Sequence, residues 1–119
     1  MFAYEIPNLR FSLPAGGAVA RRRFVSVASD AAIQATAATR VIGASMNEVT
    51  AEENTAGGHI VEIADGIVMV EAAGAITSGA AVYADANGKA TATEGTAGAA
   101  GIAITAAAAA GELVAVKIN

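Results

Sequence analysis

The stretch Gly58-His59-Ile60-Val61-Glu62-Ile63-Ala64-Asp65-Gly66-Ile67-Val68-Met69-Val70-Glu71 decides the fold class. Two runs rich in β-branched residues flank Asp65-Gly66, a pair that readily takes the positive φ values of a tight type I′ turn, so the stretch predicts a β-hairpin. Ala80-Ala81-Val82-Tyr83 and Lys89-Ala90-Thr91-Ala92-Thr93 flank Asn87-Gly88 with the same chemistry. Two hairpins in succession point to a sheet-based domain.

Further along, Gly101-Ile102-Ala103-Ile104-Thr105 and Leu113-Val114-Ala115-Val116-Lys117-Ile118 read as the last strands. Ala106 to Ala110 between them is too short to hold as an isolated helix, leaving a helical turn or a loop. Upstream, Phe24-Val25-Ser26-Val27-Ala28 alternates as a first strand does, and Ser29-Asp30 breaks it. Over Ala31 to Ala38, Asp30 as N-cap and several alanines would suit a helix. The β-branched Thr36, Thr39, Val41 and Ile42 and the interruption at Gly43 favour strand or irregular chain instead. Gly58-His59-Ile60-Val61-Glu62-Ile63 faintly repeats in Gly111-Glu112-Leu113-Val114-Ala115-Val116, which suggests two related half-barrels.

Composition supports the β reading and adds a second point. Of 119 residues 33 are alanine, Val and Ile together number 21 against 3 Leu, and there are five aromatics and no Trp. The β-branched skew suits pleated strands. A single domain of this make-up has few large side chains for its interior, so oligomerisation or docking on a larger body is expected.

The front of the chain differs from the rest. Residues 1 to 23 hold Arg10, Arg21, Arg22 and Arg23 against Glu5, whereas the remainder is acidic enough to bring the chain to a net charge of −4. Phe2, Tyr4 and Phe11 lie in this segment, as do both prolines, Pro7 and Pro14, which fix φ and keep Ile6 and Leu13 out of the helical region. The segment reads as an extended arm, closing near Gly16-Gly17. Its apolar anchors would be Phe2, Tyr4, Ile6, Pro7, Leu9, Phe11 and Leu13, with Arg21, Arg22 and Arg23 at its end facing an acidic protein surface.

Catalytic and ligand-binding constellations are absent by pattern. No Cys means no disulfide framework or thiolate, and one histidine, His59, cannot supply a multi-histidine metal cluster. Glu52-Glu53 are adjacent, do not share a face, and read as a solvated loop. Gly95, Gly98 and Gly101 lack the close first pair of a dinucleotide fingerprint, and no Gly-Lys-Ser/Thr exists for a phosphate loop. Asp85-Ala86-Asn87-Gly88 lacks the distal bidentate acid of a calcium loop. No cofactor is expected. One arginine triplet on an acidic chain speaks against nucleic-acid binding, which needs many phosphate contacts. The longest run of large apolar residues, Ile67 to Val70, falls far short of a membrane span, and Glu5, Pro7, Arg10 and Pro14 interrupt any secretory apolar region.

The segment from Gly74-Ala75-Ile76-Thr77-Ser78-Gly79 through Asp85-Ala86-Asn87-Gly88-Lys89-Ala90, followed by Gly101-Ile102-Ala103-Ile104-Thr105 and Glu112-Leu113-Val114-Ala115-Val116, resembles the capsid cement or head decoration proteins of tailed bacteriophages. The likeness spans about residue 24 to 119, and Tyr4-Glu5-Ile6-Pro7 also fits some members. The resemblance implies an all-β domain, a small β-barrel or β-clip-like body of short strands and hairpins over residues 24–119, preceded by an arm over residues 1–23. It implies a non-enzymatic virion protein on the outer surface of the capsid, a homotrimer that binds the major capsid protein and bridges neighbouring capsomers. A fibre or adhesion module binding a host-surface ligand is the alternative. A lipoyl-type carrier would place its modified lysine at a hairpin tip, as Lys89 stands, but the flanking words of those families are missing.

Overall fold

In the computed structural model, which describes residues 6–119, strands β1 (Ile6–Pro14), β2 (Phe24–Ala28), β3 (Ala31–Gln34), β4 (Gly43–Ser45), β5 (Ile60–Glu71), β6 (Ala81–Ala84), β7 (Ala90–Thr91), β8 (Gly101–Ala103) and β9 (Leu113–Ile118) form one antiparallel sheet. Its order is β3-β2-β4-β5-β9-β8-β6-β7, with β1 on the other edge of β5. The sheet curls into a half-barrel, and the β6–β7 turn comes back to β2, where the Phe24 N–H donates to the Gly88 carbonyl at 2.8 Å. The all-β expectation holds.

The decisive stretch folds differently from the hairpin it predicts. Ile60–Glu71 is one continuous twelve-residue strand, and Asp65-Gly66 lies inside it. Gly66 takes φ 116°, which only glycine adopts readily, and the Asp65 carboxylate accepts the Gly66 N–H at 2.8 Å. The chain thus twists through this pair without reversing, because each half has its own neighbour. Residues 60–67 pair with β1 along one edge, while Ile67–Glu71 pair with β9 along the other.

The tight turn stands instead at Ser29-Asp30. Both take positive φ, 52° and 63°, and Ala28 pairs with Ala31, so β2 and β3 make a two-residue hairpin. The Asn87-Gly88 hairpin is present, but Ala84 pairs with Ala90 and only Gly88 of the loop has positive φ, giving a longer turn held by the Asp85 carboxylate, which accepts the Asn87 and Lys89 N–H groups. Glu52 and Glu53, read as loop, lie in a short helix α1 (Ala51–Ala56). Thr50 Oγ1 accepts the Glu53 N–H and the Glu53 carboxylate accepts the Thr50 N–H, a capping box that overcomes the short length.

Two apolar clusters lie on opposite faces of the sheet. Phe24, Val68, Val70, Val82, Val114, Val116 and Ile118 join many buried alanines on the concave side. Val19, Val25, Val49, Val61 and Ile63 form the smaller cluster on the other face. Strand β5 serves both, with Val61 and Ile63 facing one cluster and the even-numbered Ala64, Val68 and Val70 the other.

Candidate interaction surface

The front segment is a strand of the body. Residues 6–14 are extended, as the two prolines predict, but they pair with β5 from Ile6↔Ile67 to Pro14↔Ile60, with one bulge between Pro7 and Leu9. The expected anchors therefore separate. Phe11 and Leu13 stand opposite Ile63 and Val61 and pack on the smaller cluster, so they are structural and half-buried. Leu9 is 54% exposed. Ile6 and Pro7 occupy the start of the ladder, opposite Ile67 and Gly66. Phe2 and Tyr4 lie outside the described residues.

Among the described residues, the outer edge of β1 is unpaired along most of its length. The Ala15 N–H donates to His59 of the β5 side, whereas the Gly16 N–H donates to Ala32 of β3. Alternation then aims the main-chain groups of Phe11 and Leu13 at β5 and those of Arg10 and Ser12 outward, where both residues are exposed and no described strand pairs with them.

The arginine triplet also divides. Arg21 is exposed. Arg22 turns the chain with φ 61°; its N–H donates to Ser45 and its carbonyl accepts the Glu71 N–H. Arg23 is committed inside: one guanidinium nitrogen donates to the Asn87 carbonyl at 3.0 Å and another lies 3.5 Å from Glu71, which Lys89 approaches at 3.1 Å. The Lys89 hydrogen bond, aided by the Arg23 charge, holds the Glu71 carboxyl below the usual range. Glu53 is likewise lowered, chiefly by the Thr50 N–H in the capping box and also by His59, 3.7 Å away.

The second surface is one the sequence reading missed. Directly opposed residues share a face, so the convex side of the β5–β9–β8–β6 half carries the rows Ile67-Lys117-Ile102-Ala81 and Met69-Ala115-Ile104, then Glu71-Leu113. Ile102 and Ile104 are each 48% exposed and Leu113 45%. This face continues the one that the smaller cluster covers over β5's first half; here Ile102, Ile104 and Leu113 stand exposed, whereas Ile67 and Met69 are half-buried and Ala115 is buried. The signal in the sequence is an inversion: along β8 and the residue after it, the small Gly101 and Ala103 point inward while the large Ile102 and Ile104 are exposed. At the Lys117 end a shallow cavity of about 410 Å³ lies between Asn8, Asp65, Ile67, Lys117 and Asn119.

Among the described residues no group of three His, Cys, Asp or Glu side chains gathers as a metal site, and no helix is long and apolar enough to cross a membrane. The surface that remains is main-chain edge and apolar sheet face, which suits contact with other proteins. The sequence model of the phage cement proteins matches residues 5–118. The chain belongs to the phage cement protein family. It is thereby a structural component of a phage virion, placed on the exterior of the capsid. The crystal structure of the head fiber gp8.5 N base in bacteriophage phi29 is similar in fold, with a TM-score of 0.71 and 19% identity over 93% of each chain. No curated protein matches the chain.

Proposed function

We propose that this cement protein binds the major capsid protein on the assembled shell as a homotrimer and stabilises the shell by bridging neighbouring capsomers, with no catalytic role. The observation that carries the reading is the open outer edge of β1. Main-chain groups of Arg10 and Ser12 offer a ladder to an extended segment of the shell protein, and the exposed Leu9, Arg10 and Arg21 give that ladder apolar and basic side contacts. Three such edges on one trimer engage three sites together, so modest individual contacts sum to firm attachment.

Ser12→Pro tests it, because the Ser12 N–H points away from β5 and its removal spares the internal ladder. Wild-type protein should cosediment with expanded, undecorated heads, and the variant should bind at least about tenfold more weakly, the loss of one to two edge hydrogen bonds at each of three sites. Equal binding would remove the edge from the mechanism. The second reading, a fibre or adhesion module, draws on the likeness in fold to the phi29 fiber base. Binding to host-surface glycans in place of heads would favour it.

A further inference from the structure

Asn87 has a chemistry open to it that the other asparagines of the chain lack. It alone is followed by glycine, and among the described residues nothing hydrogen-bonds its exposed side-chain amide. Asn8, Asn47 and Asn54 precede Leu9, Glu48 and Thr55, whose side chains crowd the following nitrogen. Asn47 also has both ends of its amide engaged, donating to the Ile60 carbonyl at 3.0 Å and accepting the Glu62 N–H at 2.8 Å. A free carboxamide beside a glycine nitrogen, with no Cβ in the way, is the arrangement from which asparagine closes on its own backbone. Asp65-Gly66 is sterically similar, but a carboxylate is a poor electrophile and the pair lies inside β5.

We propose that Asn87 is a self-modification site whose product is isoaspartate paired with Arg23. The Gly88 nitrogen forms a bond to Cγ of Asn87, and the side-chain nitrogen leaves as ammonia with the proton that Gly88 gives up, closing a five-membered imide. Water then adds to one of the two imide carbonyls, breaks its bond to nitrogen and releases a proton to solvent. Opening at Cγ gives aspartate. Opening at the main-chain carbonyl gives isoaspartate, in which the chain runs through Cβ and Cγ and the former carbonyl is a free carboxylate. Arg23 favours the second course, because its guanidinium donates to that main-chain oxygen at 3.0 Å. It polarises the carbonyl that water attacks and afterwards faces a full charge in place of a neutral acceptor. Arg23 and Lys89 already share the single carboxylate of Glu71, so the new charge enters a seam that holds two cations and one acid. The turn also sets the pace. The Gly88 N–H donates to the Asp85 carbonyl at 3.2 Å, and the Asp85 carboxylate accepts the Asn87 and Lys89 N–H groups at 2.8 and 2.9 Å, so the glycine nitrogen reaches Cγ only when this clamp opens. Beyond it the Gly88 carbonyl stays pinned by the Phe24 N–H, and the added methylene falls at exposed Asn87. The reaction takes up only water and gives the seam a slow covalent maturation.

Incubation of the full chain at neutral pH tests it, one sample folded and one unfolded in urea, with products located by peptide mapping and isoaspartate confirmed by enzymatic methylation of its free carboxylate. Isoaspartate should accumulate at residue 87 in both samples, about tenfold more slowly in the folded one, the weight of the one or two hydrogen bonds that the clamp gives up on opening. The ratio of isoaspartate to aspartate at that residue should be at least about threefold higher in the folded chain, where Arg23 is in place. A folded sample without isoaspartate at residue 87, many half-lives after the unfolded sample has converted, overturns the site. Equal rates in the two samples overturn the Asp85 clamp, and equal product ratios overturn the part given to Arg23.

Discussion

Lys89 Nζ lies 3.1 Å from Glu71 Oε2, so a residue of the β6–β7 turn is tied to the last residue of β5. Arg23 shares the same carboxylate at 3.5 Å and brings in the start of β2, closing the seam where the curled sheet returns on itself.

The seam should be acid-sensitive. Because the Glu71 carboxyl is held below its ordinary value of 4.5 in the folded chain, its contribution is fully present above that pH and is lost as pH falls through the lower, folded value. Glu71→Gln should lower Tm at pH 7 by about 2–4 °C, as a partly exposed pair would. The difference from wild type should shrink on titration from pH 5 to pH 3, read by thermal unfolding.

Gly101→Ala should be severe. A Cβ at Gly101 would collide with the Lys117 carbonyl oxygen of the adjacent β9, and backbone cannot step aside as a side chain can. A cost of about 2–4 kcal/mol in urea unfolding is expected. Gly74→Ala, with nothing near its added methyl and no positive φ, should stay within about 0.5 kcal/mol.

Phe11 and Leu9 should part company although both sit on β1. Phe11→Ala strips a side chain from the smaller cluster and should cost about 2 kcal/mol, less than a full core truncation because the ring is half-buried. Leu9→Ala, at 54% exposure, should leave stability within about 0.5 kcal/mol and weaken head binding instead. Chemical denaturation and cosedimentation separate the two effects.

Thr50→Ala should open α1. Losing the hydroxyl that accepts the Glu53 N–H should speed exchange of that amide about fivefold, measured by hydrogen exchange, while the β5 core amides hold their protection.

Much of the strand set was legible because β-branched residues gather where strands form, as in Phe24–Ala28 and Leu113–Ile118. Asp65-Gly66 misled because turn propensity is local, whereas the pairing of β5 with β1 on one edge and β9 on the other is decided by residues more than forty positions away. Ser29-Asp30 hid a tight hairpin because neither residue is glycine, yet both are tolerated in the left-handed region when the flanking strands hold them there. The helix at Ala51–Ala56 carried its signature openly in Thr50-Ala51-Glu52-Glu53. Of the candidate surface, the apolar character of the front segment was readable, but which side chains it keeps for itself was not, since Phe11 and Leu13 differ from Leu9 only by the register against Ile63 and Val61.

Strand β5 gives the molecule a direction of strength. β1 runs antiparallel to it through registers from Ile6↔Ile67 to Pro14↔Ile60, and β9 grips its other end on the opposite edge. A pull along β1 loads the ladder lengthwise, so its hydrogen bonds resist together. The same force applied across the strand would part them one by one. Tension entering at β1 then passes down β5 into β9, which makes this strand the tie-bar of the fold and, on the proposed attachment through β1, puts its rigid axis in line with the load.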